Sequence, residues 1–198
     1  MTSGAGVMNP TALIVVDMQT AFVVGESALP MMSTMLPAVE AQLAAAREAG
    51  ALVVFLQNDG PAGASDEPST DGWRLALDPE AGDVVVRKSQ DSGFAGTDLD
   101  DVLQRHRVQV VSLCGLMSEM CVAATARDAI ARGYVVVLAH DSHGTYDVPP
   151  FVDGEAGVPA EQAARVVEWS LGDTIVIAPS AARVRFAAAD GEPLTHTP

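Results

Sequence analysis

Short unbroken apolar runs recur along the chain, and most are followed by a segment with helical spacing. Ala12 to Met18 reads as a buried strand closed by Asp17. In Leu36 to Glu48, Leu36, Val39, Leu43 and Ala46 recur at helical intervals, and Gly50 follows as a stop. Ala51 to Leu56 is a second strand and Val84 to Arg87 a third. Thr97 to His106 predicts a helix capped by Thr97, with acids in its first turn. Val108 to Leu113 is a fourth strand, Ser118 to Arg132 a helix ending at Gly133, and Val135 to Ala139 a fifth strand. Pro159 to Leu171 predicts a helix stopped by Gly172, and Thr174 to Ala178 a sixth strand. Residues 59–83 differ: they are rich in Gly, Pro, Ser and Asp, with seven acids against one base. They read as a long loop with a short helix near Trp73, and loops of this length are usually functional or mobile.

The strands are continuous apolar runs rather than alternating ones, as happens when both sheet faces are covered. Strand and helix alternate throughout. The prediction is α/β: a doubly wound, mainly parallel six-stranded sheet with helices on both faces. Residues 11–179 form the domain, and 1–10 and 180–198 read as terminal extensions. In such sheets ligands bind beyond the carboxyl ends of the strands.

Three reactive side chains fall there. Asp17 closes the first strand, Lys88 follows the third, and Cys121 lies just after the fourth. With Ser118 as N-cap, Cys121 takes the third helical position, where free N–H groups and the helix dipole favour a thiolate. Cys121 also reads as a small core residue, Lys88 as a snorkelling surface residue, and Asp17 as a cap or turn former. Together they make an activated-nucleophile set, in which the lysine holds the sulfur and the carboxylate moves protons.

Composition narrows the rest. The net charge is −15. This argues against nucleic acid, which needs clustered Lys and Arg, and is compatible with a cationic substrate or with solubility alone. There is no signal-like or membrane-length apolar run, so a cytoplasmic protein is the expectation. Two cysteines, Cys114 and Cys121, are expected to be free thiols, with Cys114 inert inside a strand. Histidines stand at 106, 140, 143 and 196 without zinc-ligand spacing. No metal or other cofactor is expected.

Three motifs carry a family resemblance. They are Ala12-Leu13-Ile14-Val15-Val16-Asp17-Met18-Gln19 with Phe22; Arg87-Lys88 followed by Gly93-Phe94-Ala95-Gly96-Thr97-Asp98-Leu99; and Cys114-Gly115-Leu116-Met117-Ser118-Glu119-Met120-Cys121-Val122 followed by Thr125-Ala126-Arg127-Asp128-Ala129 and Gly133-Tyr134. The chain resembles the isochorismatase-like cysteine hydrolases over residues 11–179. The resemblance implies a catalytic triad of Asp17, Lys88 and Cys121. It also implies a non-proline cis peptide at Leu116–Met117, and an oxyanion hole from the N–H groups of Met117 and Cys121. The Asp-x-His metal pair of the family's nicotinamidases is replaced by Gln57-Asn58-Asp59-Gly60.

That stretch, Ser118-Glu119-Met120-Cys121 and residues 140–147 resemble one branch, the streptothricin hydrolases, which open the lactam of a polycationic antibiotic. The implied activity is cleavage of an amide or lactam C–N bond through a thioester. Other small amides or ureides, an isochorismatase-type reaction, and a catalytically silent oligomeric binding protein are the alternatives. Phe22, Asn58, Trp73, Phe94, Glu119 and Tyr146 are candidate substrate contacts; Phe22 and Phe94 also read as core, and Glu119 as a first-turn helix stabiliser. Asp141-Ser142 fits the following strand end, and His140 and His143 beside it could orient a loop or a substrate. The family habit implies a homo-oligomer.

Overall fold

A computed structural model describes residues 9–25 and 27–190. His196 and the outer parts of both terminal extensions lie outside the described residues. The chain forms β1 (Ala12–Val16), α1 (Thr20–Val23), α2 (Met32–Glu48), β2 (Leu52–Asn58), β3 (Val84–Lys88), α3 (Leu99–Arg105) and β4 (Val110–Leu116). A π-helical turn (Ser118–Val122) then leads into α4 (Ala123–Ala131), β5 (Val135–Gly144), α5 (Ala160–Ser170) and β6 (Ile175–Ala178). All six strands are parallel, in the order β3-β2-β1-β4-β5-β6.

The continuous apolar runs are explained by what lies on each face. Alternate residues of β1 go opposite ways: Leu13 and Val15 meet Met32, Met35, Val39 and Leu43 of α2, while Ala12, Ile14 and Val16 meet α3, α4 and α5. Both faces are therefore apolar, as a parallel sheet covered on both sides requires. The chain leaves β1 toward β2 on one side, and the sheet continues through β4 on the other. The crevice of the fold opens where β1 and β4 end. At that point the two strands approach closely: a Cβ on Gly115, whose φ is 115°, would lie 2.1 Å from the Val16 carbonyl oxygen. Only glycine fits there.

Several sequence boundaries shift. Helix α2 begins at Met32, not Leu36, with Pro37 inside it, because Met32 and Met35 are buried against the sheet. The helix expected near Trp73 is absent; that segment forms turns. Strand β5 runs on past Ala139 through polar His140, Asp141 and Ser142 to Gly144. Ser142 is satisfied by Gln42 of α2 at 2.8 Å, and Asp141 accepts the Ala181 N–H at 2.6 Å. The stretch after β6 packs on the body: Ala181 and Val184 are buried, and the Ala189 N–H donates to Gly50.

The 59–83 loop folds over its own strand ends. Gln19 is fully buried and fastens it, donating from Nε2 to the carbonyls of Asn58 and Trp73 at 3.0 Å each and accepting the Asn58 N–H at 2.8 Å.

Candidate active site

Three strand ends deliver the three reactive side chains to one point. Asp17 follows β1 in a left-handed conformation (φ 49°), which Asp tolerates better than most residues. Lys88 is the last residue of β3, and Cys121 sits within the π turn after β4. Lys88 Nζ lies 2.8 Å from Asp17 Oδ2 and 3.3 Å from Cys121 Sγ. It also donates to Asn58 Oδ1 at 3.3 Å and the Gln90 carbonyl at 3.2 Å. Asp17 and Lys88 are 3% and 2% exposed, so the ion pair is a buried one, whereas Cys121 is half-buried. The second Asp17 oxygen, Oδ1, is buried and makes no hydrogen bond among the described residues.

The electrostatics follow from that burial. Desolvation raises the Asp17 carboxyl above its usual value, although Lys88 opposes this. The ammonium of Lys88 would be lowered by burial, but its partners, the Asp17 carboxylate first and Cys121 after it, outweigh this and raise the group. The Cys121 thiol is pushed up to about 12, first by burial and then by the Asp17 carboxylate, against Lys88. Burial thus works against the thiolate that the helix start was expected to favour. Ser118 is also not a side-chain cap: it is the first residue of the π turn, and its hydroxyl turns inward to His143 Nδ1 at 2.8 Å.

The peptide Leu116–Met117 is cis. The Met117 carbonyl accepts from the N–H groups of Met120 (3.1 Å) and Val122 (3.2 Å), and the intervening Cys121 N–H is not among its donors. Cys114 is fully buried in β4, and burial raises its thiol strongly.

The candidate substrate contacts divide. Asn58 is built into the site: its Oδ1 faces Lys88, and its Nδ2 donates to Asp66 Oδ2 at 2.7 Å. Trp73 is half-buried, with Nε1 on Asp59 Oδ1 at 2.9 Å and the Arg87 guanidinium 5.0 Å from its ring centroid. Phe22, Met117 and Tyr146 are partly buried together against the α2 side of the core, and the Tyr146 hydroxyl donates to the Ser27 carbonyl. Glu119 is exposed and accepts the Thr145 hydroxyl at 2.8 Å. Phe94 is a correction: it is 6% exposed, stacked on Tyr134 and covered by Arg132, and so has no free face for a ligand. His140 and His143 both reach Glu168 rather than the crevice. Sequence reasoning gave no role to Gln19, Asp66 or Glu168, because nothing local identifies their partners.

The isochorismatase domain family matches this chain over residues 11–154. Two streptothricin hydrolases from Streptomyces noursei are 50% identical over 189 residues and 52% identical over 179 residues. These matches cover 94% and 89% of this chain but 75% and 65% of the relatives, so the chain spans about two thirds to three quarters of their length. Among solved structures, a putative isochorismatase from Burkholderia xenovorans LB400 superposes with a TM-score of 0.80 at 28% identity, covering 93% of this chain and 94% of that one.

Proposed function

We propose, from the premise that the chain belongs to the isochorismatase family, that it is a cysteine-dependent hydrolase of a carbon–nitrogen bond, with Asp17, Lys88 and Cys121 as its catalytic set. The observation that carries this reading is the buried Lys88 ammonium, held between the Asp17 carboxylate at 2.8 Å and the Cys121 sulfur at 3.3 Å.

The chemistry is as follows. Asp17 accepts the thiol proton as Cys121 attacks an amide or lactam carbonyl, and Lys88 stabilises the sulfur as it becomes anionic. The N–H groups of Met117 and Cys121 receive the developing oxyanion, a contribution of roughly 3 kcal/mol per donor in comparable sites. Asp17 returns its proton to the departing nitrogen, leaving a thioester on Cys121. Water, deprotonated by Asp17, attacks the thioester; the acid product leaves and the thiol is regenerated.

The substrate is a lactam of the streptothricin class. The identity with two hydrolases of that name supports this, as does a net charge of −15, which attracts a polycation. The test is to incubate a streptothricin-type lactam with wild type and with Cys121→Ala, and to read product by mass spectrometry. A mass gain of one water with wild type alone is the expected result. Equal conversion by Cys121→Ala would sink the mechanism. No conversion by wild type, with turnover of simple amides or ureides instead, would sink the lactam assignment.

A further inference from the structure

Behind the nucleophile turn runs a buried polar chain that the reaction scheme does not use. Ser118 is fully buried, with its hydroxyl 2.8 Å from His143 Nδ1. His143, on β5 and equally buried, places Nε2 3.2 Å from Glu168 Oε1 on α5. Glu168 is 4% exposed and is also bonded by His140 Nδ1 to Oε1 at 2.6 Å and by Arg165 Nη1 to Oε2 at 3.0 Å. Burial alone would raise this carboxyl, but the hydrogen bonds from His143 and His140 outweigh it and hold the group below its ordinary value.

A carboxylate only accepts hydrogen bonds, so the Nε2 of His143 carries hydrogen. In the singly protonated ring, Nδ1 is then the acceptor, and the Ser118 O–H donates to it. A residue on α5 thus selects the direction of a hydroxyl at the head of the nucleophile turn. The strand register places His143 beside Gly115, so the anchor point is rigid.

The turn needs such an anchor. The Val122 N–H reaches back five residues to the Met117 carbonyl, a wide closure that is rare and less favourable than α-helix. Tightening to α-type closure would change the winding by one residue and rotate the side chains beyond it by about 100°. Cys121 would then leave Lys88.

We infer that Ser118, His143 and Glu168 form a positioning relay: Glu168 and His143 orient the Ser118 hydroxyl, which ties the π turn to β5 and holds the Cys121 sulfur on Lys88. The inference rests on Cys121 being the nucleophile, and its test needs no substrate. Full-length wild type, Ser118→Ala, Ser118→Thr and Glu168→Gln are treated with iodoacetamide, and labelling of the Cys121 peptide is followed by mass spectrometry. Cys114 serves as the buried reference thiol, and circular dichroism checks that each variant folds. Ser118→Ala and Glu168→Gln are expected to speed Cys121 labelling at least tenfold while remaining folded, because a sulfur that leaves its partly buried seat beside the Asp17 carboxylate meets the reagent more freely. Ser118→Thr, which keeps the hydroxyl, should stay within twofold of wild type. On any substrate that wild type hydrolyses, kcat should fall in the first two variants with KM unchanged.

Labelling of folded Ser118→Ala or Glu168→Gln at or below the wild-type rate overturns the relay, as does a Ser118→Thr variant as fast as Ser118→Ala. Should Glu168→Gln fail to fold, the contrast between Ala and Thr at position 118 decides alone. A wild type that labels at Cys121 but hydrolyses no amide would defeat the functional reading while leaving the relay test intact.

Discussion

The ion pair of Asp17 and Lys88 has to be judged as a pair, because neither charge is tolerated alone at that depth. Both side chains are at most 4% exposed. Removing one partner of such a pair typically costs about 3–5 kcal/mol, since the survivor is left desolvated without compensation. Lys88→Met is therefore expected to lower unfolding free energy by roughly that amount, and Asp17→Asn added to it should recover part of the loss. Chemical denaturation of the two variants measures this. The same pair sets a pH dependence. In the proposed mechanism Asp17 is ionised when it takes the thiol proton, and its carboxyl lies above the ordinary 3.8 because of burial. The acid limb of kcat/KM is thus expected above that value, with activity lost as pH falls through it; a limb at or below 3.8 would remove Asp17 from the role of base. Asp17 and Lys88 were legible in the sequence because each is a charged group standing where an apolar strand ends, and Cys121 because it lies in the motif that follows the fourth strand. Ser118, His143 and Glu168 were not, because their partners lie 25 residues away along the chain. Phe94 misled for the opposite reason: an aromatic inside a motif does not announce which way it points.

At the scale of elements, hydrophobic periodicity located every strand and every long helix, and its errors have a common cause. Periodicity reports burial, so it stops where buried polar groups begin. The apolar pattern carried the fifth strand only to Ala139, because Ser142 beyond it needs Gln42, 100 residues away, to be satisfied. The π turn was read as ordinary helix because both satisfy the same apolar spacing over five residues. The loop of residues 59–83 was read as irregular, and it is, yet it is firmly held. Gln19 satisfies three backbone groups on Asn58 and Trp73, and Asp66 from the loop reaches Lys88 through the Asn58 amide. Gln19→Leu would remove the bonds it makes to the Asn58 N–H and carbonyl, at a cost of about 1–3 kcal/mol each before the loop relaxes toward water, while the Trp73 carbonyl keeps Gln57 Nε2 at 2.9 Å. The expected outcome is a variant destabilised by several kcal/mol in denaturant melts and cleaved faster within residues 59–83 under limited proteolysis. A Gln19→Leu variant as resistant to the protease as wild type would show that the loop is held by something other than Gln19.

At the scale of the whole molecule the relevant quantity is charge rather than shape. The fold brings the three reactive groups together, but many amide hydrolases of one family can share such a set; what differs is which substrate reaches it. A net charge of −15 gives an attractive field for a polycation, and that field is screened over about 10 Å at 0.1 M salt. The contacts among Asp17, Lys88 and Cys121 are much shorter than this, and the Asp17–Lys88 pair is buried away from ions. Salt therefore separates recruitment from chemistry. Raising salt from about 20 mM to about 500 mM should increase KM for a polycationic lactam severalfold while leaving its kcat unchanged, and should leave both constants unchanged for a neutral amide. Steady-state kinetics on the two substrates across that range makes the comparison. If KM for the polycation does not move, the acidity of the chain serves solubility and selectivity must come from contacts inside the crevice. If kcat falls for both substrates together, the triad is open to ions and its burial is not maintained during turnover.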